Sequence, residues 1–375
     1  MNIAVFIDSY KGTLSSIELS NLIEAHFKAT SHNVFSLPIS DGGEGFIEAI
    51  ETVYPDDCHR IPTEDPLGNR INAKYVLKDK TAYIGLYTAA GLALLKKEAL
   101  NPLKTSSFGV GLIILDAIKK GAEKIVLGIG GSATNDGASG MLQALGVRFF
   151  NGNVEIKERM TGGLLDQVTS VDTRDLETRI KNTAFVVASD VKAPLLGPKG
   201  SAHVFSTQKG ADKDKREYLE KAMAHYADVV ETHTGRHHRH DPGAGAAGGV
   251  GFGALSLLKA EMVSGIDFLI ELVDIESIIK QNDIVIVGEG RFDDQTSQGK
   301  APYGIAKLAK RHNKMVIGLF GSIEGSPATD YIDEVYAVAP QYAPYKESLL
   351  NPMPSFLKML QDVKIPETIK HGDVH

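Results

Sequence analysis

Residues 124–146 read KIVLGIGGSATNDGASGMLQALG. The opening apolar, β-branched run shows no polar alternation, as in a strand buried on both faces of a parallel sheet. After the glycines, ASGMLQALG reads as a helix. A strand, a glycine loop and a helix in that order form the repeating unit of an α/β protein. The loop itself, GIGGSATNDG (128–137), holds four glycines, two hydroxyls, one amide and one carboxylate, with no Lys or Arg. Backbone N–H groups and a helix end, not side-chain cations, would have to hold any anion placed there.

The same alternation recurs along the chain. NIAVFID (2–8), NVFSLPI (33–39), AFVVASD (184–190), DIVIVGEG (283–290), MVIGLFGS (315–322) and EVYAVAP (334–340) are further strand candidates. SSIELSNLIEAHFKA and YGIAKLAKRHNK are amphipathic helices between them. The middle differs: RINAKYVLKDKTAYIGLY (70–87) alternates about a Lys/Asp turn and predicts an antiparallel hairpin. Within 203–240 one helix is expected, KREYLEKAMAHYADVVETH. The pattern predicts a Rossmann-like parallel-sheet domain built from both chain ends, residues 1–60 and 275–375, with a second α/β domain, 61–274, inserted between. The strands at 124–130 and 184–190 suit either sheet.

Composition narrows the function classes. The 375 residues are 43% hydrophobic and 23% charged, enough for a sizeable core. A net charge of −7 without a local basic stripe speaks against nucleic acid or anionic membrane as partner. The single cysteine, Cys58, sits in YPDDCHR behind two acids that would raise its pKa, which argues against a nucleophile. No window reaches the ~20 apolar residues that span a bilayer, and the N-terminus lacks a signal pattern. These features predict a cytoplasmic protein.

Several acid- or glycine-bearing loops follow predicted strands, the edge at which open α/β sheets bind ligands. DSYKGTLSS (8–16) offers Asp8, Ser9 and Lys11; SDGGEG (40–45) offers Asp41, Gly42, Gly43 and Glu44. ASDVKAPLLGPKG (188–200) offers Asp190, and GEGRFDDQTSQGK (288–300) offers Glu289, Arg291, Asp293, Asp294 and Lys300. Each alone reads as an ordinary turn; together they suit phosphoryl transfer. Glycine loops hold phosphate oxygens, carboxylates hold Mg²⁺ or accept the proton of an attacking hydroxyl, and Lys or Arg offsets charge in the transition state.

Known fingerprints fit poorly. No G-x-x-x-x-G-K-[ST] is present, so this is no P-loop protein. GAGAAG (243–248) matches G-x-G-x-x-G but follows RHHRHDP, not a strand. GIGGSA (128–133) matches the looser G-x-G-x-x-A after a strand and keeps a dinucleotide site open. AGAAGGVGFGAL (244–255) suits a phosphate loop and close helix packing equally. HTGRHHRH (233–240), with four histidines in eight residues, lacks a metal-ligand spacing and reads as a solvated loop.

Taken in order, DSYKGTLSS, SDGGEG, NPLKTSSFGVG, GIGGSATNDGASGMLQALG, SDVKAPLLGPKGSA, PGAGAAGGVGFGAL and GEGRFDDQTSQGKAPYGIA resemble the bacterial glycerate kinase family that is distinct from the P-loop kinases. The resemblance runs from residue 8 to about 306. It implies ATP- and Mg²⁺-dependent phosphorylation of D-glycerate, a small-molecule substrate, with 2-phosphoglycerate favoured over 3-phosphoglycerate. It also implies two α/β domains with the site in the cleft between them. Two positions depart from the family pattern: Gly85 stands where an acid is common, and Leu100 where an arginine often precedes NPL.

The roles assigned on this basis are as follows. Asp190 is the base or orienter of the glycerate hydroxyl, Asp293 its runner-up, and Lys11 a contact to phosphate or to the substrate carboxylate. Gly130, Gly131, Ser132, Asn135, Gly248 and Gly249 face the nucleotide. Asp8, Ser9, Asp41, Gly42, Gly43, Arg291 and Lys300 face substrate, and Asp136 and Glu289 hold the metal. A nicotinamide-dependent oxidoreductase of a small hydroxy acid and a non-catalytic nucleotide-binding regulator are the competing readings. The oligomeric state is open between monomer and homodimer.

Overall fold

The computed structural model describes residues 1–10, 12–39, 42–293 and 301–366. Its strands, in chain order, are β1 (Asn2–Ile7), β2 (Asn33–Pro38), β3 (Cys58–Glu64), β4 (Arg70–Lys78), β5 (Thr81–Gly85), β6 (Lys124–Gly128) and β7 (Arg148–Asn151). They continue with β8 (Val154–Glu155), β9 (Ser170–Asp172), β10 (Ala184–Ala188), β11 (Glu261–Val263), β12 (Ile284–Phe292), β13 (Met315–Ile323) and β14 (Glu334–Ala337). All seven strand candidates are strands. The chain divides into two compact units, one of Met1–Ser40, Glu44–Val53 and Ile266–His375, the other of Asp41–Gly43 and Tyr54–Gly265.

In the first unit β2, β1, β12, β13 and β14 lie side by side, all parallel. Counted along this unit's own chain the order is 2-1-3-4-5, a doubly wound sheet. The Rossmann-like expectation thus takes the shorter of the two common doubly wound orders, with the direction of winding reversing between β1 and β12. Ile3 to Ile7 and Ile284 to Val287 are wholly enclosed, as strands covered by helices on both faces must be. Helix Ser16–Ala29 starts at a capping box of Ser15 and Glu18 and buries Leu19, Ile23 and Phe27, spaced four apart.

The second unit carries a six-stranded sheet of order β11-β10-β6-β5-β4-β3 and a small antiparallel sheet of β8, β7 and β9. Both strands left open by the sequence, β6 and β10, belong here and pair in parallel. The predicted hairpin is present: Lys78 pairs with Thr81 across Asp79 and Lys80, both in the left-handed region at φ 45° and 63°. The expected helix of the polar segment spans Lys213–Thr234 and begins at Asp212, whose side chain accepts from the Lys215 N–H. No helix among the described residues is long and apolar enough to cross a membrane.

Candidate active site

Four parallel strands of the second unit end in register. Gly85, Gly128, Ala188 and Val263 stand side by side at the carboxyl ends of β5, β6, β10 and β11. The segments that follow, among them Ile129–Gly131, Ser189–Asp190 and Ser264–Gly265, are thereby drawn to one sheet edge. Gly42 and Gly43 join them: the Gly130 N–H donates to the Gly42 carbonyl at 2.9 Å. A Cβ on Gly130 would lie 2.5 Å from the Gly43 Cα, and one on Gly42, which has φ +90°, would overlap the Ala188 carbonyl. Three of the loops singled out in the sequence interlock backbone to backbone. Glycine is required where they touch.

Asp190 is exposed on that edge. Its Oδ1 accepts from the Ser264 hydroxyl at 2.7 Å and from the Gly265 N–H at 3.1 Å. These donors fix the carboxylate's direction while leaving the residue within reach of solvent, a geometry suited to a proton acceptor.

Within GIGGSATNDG, Gly130 and Gly131 reach the surface, and everything from Ser132 to Gly137 is buried. Asn135, assigned to nucleotide, is fully enclosed, and its side-chain amide has no partner among the described residues. Asp136, assigned to metal, is also fully enclosed. Its Oδ2 accepts from the Ser107 N–H at 2.8 Å, the Ser107 hydroxyl at 2.7 Å and the Gly140 N–H at 3.3 Å. Ser107 Oγ in turn accepts from the Met141 N–H at 2.9 Å. Asp136 therefore ties the loop to the turn before helix Phe108–Lys119, and burial raises its pKa.

The same bonds correct a second expectation. The helix after the loop, Ser139–Leu145, is buried, and its early amides are taken by Asp136 and Ser107. No helix end is offered to a phosphate here, and the pyrophosphate geometry of a dinucleotide fold is missing with it.

The basic side chain absent from the loop sequence comes from elsewhere. Lys209, 2% exposed, donates from Nζ to the Ser132 hydroxyl at 2.7 Å and to the Thr134 carbonyl at 2.6 Å. Burial pushes its pKa down to about 7, with the Asp136 charge pulling it back up. The sequence offered little to find it: TQKGAD looks like any polar turn. What fixes it is tertiary. Gly210, at φ +93°, lies against Leu100, whose carbonyl carbon would be 2.7 Å from an added Cβ. One of the two departures from the family pattern thus lies beside the turn that carries Lys209.

Gly248 and Gly249, also assigned to nucleotide, are buried with φ +74° and +86°. A Cβ on Gly248 would be 2.7 Å from the Asn135 Cα, and the Gly137 N–H donates to the Gly248 carbonyl at 3.0 Å. Of the two readings open for this run, close packing is the one seen: these glycines support the loop from behind. The histidine-rich segment makes local ion pairs, His237 to Glu231 and His238 to Asp241, with Arg239 bridging Glu231 and Asp228. Among the described residues no three His, Cys, Asp or Glu side chains gather as a metal site.

In the first unit, the Asp8 N–H donates to the Gly288 carbonyl at 2.9 Å across the carboxyl ends of β1 and β12, the reversal point of the winding. Asp8 Oδ1 accepts from the Ser9 N–H at 2.6 Å. Glu289 is buried on β12, and burial of Tyr10, with the Glu289 charge adding to it, raises the Tyr10 pKa well above the ordinary value. Arg291 pairs with Glu324 at 3.1 Å. Asp293 closely follows β12 and is half-buried. Lys11, Asp41, Asp294 and Lys300 lie outside the described residues.

Comparison with known proteins places the chain in a family. The sequence profile of the glycerate kinase family matches residues 3–364. A glycerate kinase of Bacillus subtilis (strain 168) is 40% identical over 356 residues, 93% of each chain. A glycerate 2-kinase of Escherichia coli (strain K12) is 38% identical over 345 residues, 90% of each chain. A crystal structure from Salmonella typhimurium LT2, provisionally assigned as glycerate kinase 2, superposes with a TM-score of 0.75 at 36% identity over 96% of both chains. With the family profile matching nearly the whole chain and a relative 40% identical over 93% of it, this chain belongs to the glycerate kinase family and is a kinase.

Proposed function

We propose that the chain transfers the γ-phosphoryl group of ATP to the 2-hydroxyl of D-glycerate, giving 2-phosphoglycerate and ADP. The observation that supports this most is the row Gly85, Gly128, Ala188 and Val263, with Gly42 and Gly43 locked into it and Asp190 oriented at its end. It joins a bare-backbone surface for phosphate oxygens to a directed carboxylate. The name of the Escherichia coli relative, a glycerate 2-kinase, favours the 2-hydroxyl.

In this reading Gly130 and Gly131 lie against the nucleotide phosphates, with the Ser132 hydroxyl just behind them. The Asp190 carboxylate accepts the proton of the glycerate hydroxyl. The hydroxyl oxygen forms a bond to the γ-phosphorus as the bond to the bridging oxygen breaks, and ADP keeps that electron pair. Asp293 is the alternative proton acceptor. Lys11, Arg291 and Lys300 supply cations for phosphate and for the substrate carboxylate, with Asp8, Ser9, Asp41, Gly42 and Gly43 completing the substrate contacts. Mg²⁺ would neutralise charge on the transferring group. It commonly takes one or two carboxylates plus phosphate oxygens and water, which fits a chain whose described residues gather no larger acid cluster. Glu289 keeps the metal role; Asp136, with its bonds to Ser107 and Gly140, does not.

ADP release measured by a coupled assay with D-glycerate, followed by ³¹P NMR of the product, tests this. We expect ADP in proportion to D-glycerate and a 2-phosphate resonance. No ADP with D-glycerate, L-glycerate or related hydroxy acids would sink the reading, and a 3-phosphate product would correct the hydroxyl.

A further inference from the structure

The loop 128–137 contains no cation of its own, yet Lys209 places an amine directly beneath it. The side chain crosses 77 residues of sequence to reach the Ser132 hydroxyl and 75 to reach the Thr134 carbonyl, at 2.7 and 2.6 Å. An amine has at least two N–H donors in either protonation state, so both bonds persist across neutral pH. Its position is held from several sides. The turn Thr207–Lys209 closes with the Gly210 N–H donating to the Thr207 carbonyl at 3.1 Å and the Ala211 N–H to the Ser206 carbonyl at 3.0 Å. Gly210 is pressed against Leu100. Asp136 lies within electrostatic range of Lys209, while its carboxylate accepts from Ser107 and Gly140. The amine is thus spent on the loop, on the residue next to the exposed tip Gly130–Gly131 and on the carbonyl two positions further.

We propose that Lys209 is a positioning residue for nucleotide binding, acting through Ser132 and Thr134 to hold Gly130 and Gly131 in the conformation that receives phosphate. It touches neither substrate. This rests on the reading of that tip as the phosphate contact. The burial of Lys209 costs desolvation that an apolar side chain of like length avoids, and its two bonds to the loop offset that cost.

The test is ATP affinity by isothermal titration calorimetry and steady-state kinetics of full-length Lys209→Met, Ser132→Ala and the double variant, each checked for fold by thermal unfolding. Lys209→Met is expected to weaken ATP binding by about tenfold or more while KM for D-glycerate at saturating ATP changes by less than about twofold. Because Lys209 acts partly through Ser132, the double variant should bind ATP no more than about twofold more weakly than Lys209→Met, well short of the product of the two single effects. ATP affinity equal to wild type in a folded Lys209→Met overturns the proposal, as do multiplicative effects or equal losses for both substrates. Should Lys209→Met fail to fold, Lys209→Gln, which keeps a donor, replaces it, and an unchanged ATP affinity in Ser132→Ala is then the overturning result. Failure of wild type to bind ATP would refute the nucleotide reading itself.

Discussion

Two runs of this chain are dense in glycine, and they do opposite things. GIGGSATNDG leaves β6 and brings Gly130 and Gly131 to the surface before turning inward. GAGAAGGVGFG follows a histidine-rich loop and buries Gly248 and Gly249 against Asn135 and Gly137. By pattern the second run is the better G-x-G-x-x-G match. Glycine is needed wherever backbones approach closely or φ is positive, whether the neighbour is a ligand or another loop. What separates the two is the strand: a loop at the carboxyl end of a parallel sheet opens on the ligand edge, and one that begins elsewhere has no such edge to open on.

The sharpest way to break this comparison is alanine in the supporting run. Gly248→Ala adds a Cβ into the Thr134–Asn135 backbone at φ +74°, so we expect a loss of about 3 kcal/mol or more in chemical denaturation. Gly131→Ala, at φ +73° but on the exposed tip, should cost only about 1–2 kcal/mol of stability and act mainly on ATP affinity. Equal stability losses for the two would erase the distinction.

The chemistry of the edge is tested by Asp190→Asn. Since the residue is exposed, its denaturation midpoint should hold, while kcat falls by about 10² or more. Near-normal turnover would transfer the proton-accepting role to Asp293.

The slope of stability with pH reads the buried lysine. Lys209 titrates near 7 in the fold against 10.5 in the free side chain. Between about pH 7 and 10 the unfolded chain holds a proton that the folded chain has lost, so stability rises with pH there, by up to about 1.4 kcal/mol per unit. Asp136, raised by burial, contributes stability that is present below its free-carboxyl value and lost as pH rises through its folded one. Tyr83 and Tyr218, pushed up to about 12, turn the trend downward once unfolded tyrosines ionise near 10. In Lys209→Met the slope between pH 7 and 10 should disappear from urea denaturation; a slope equal to wild type would assign it to another group.

The smallest change is expected at the histidines. His237, at 78% exposed, reaches Glu231 at 3.4 Å, a carboxylate that Arg239 also holds, so His237→Ala should shift stability by less than about 0.5 kcal/mol and leave turnover intact. A lost dependence on added divalent metal in that variant would revive a metal role.

Much of this molecule is written locally. Every strand candidate came from a largely apolar run, the hairpin from alternation about Asp79 and Lys80, and the long helix from an amphipathic segment behind Asp212. The ordered loops around Gly42, Gly130 and Asp190 were legible too, because each follows a strand. Missed were the inward half of 128–137 and its supports. Asp136 looked like a ligand and is a buried tie to Ser107; Gly248 looked like a phosphate loop and is packing; the helix after the loop looked like an anion site and has its amides occupied. Burial and hydrogen-bond partners belong to chain neighbours tens of residues away, and spacing does not encode them.

The sequence by itself determined an α/β chain, nine of the fourteen strands among the described residues and the loops that follow most of them, because those follow from local hydrophobic period and turn chemistry; β3 and the short strands β7, β8, β9 and β11 carry no such run. Tertiary structure alone decided which face of each loop looks outward. It also decided that the amine missing from GIGGSATNDG arrives from Lys209, since a buried amine takes its partners from whatever the fold brings within 3 Å.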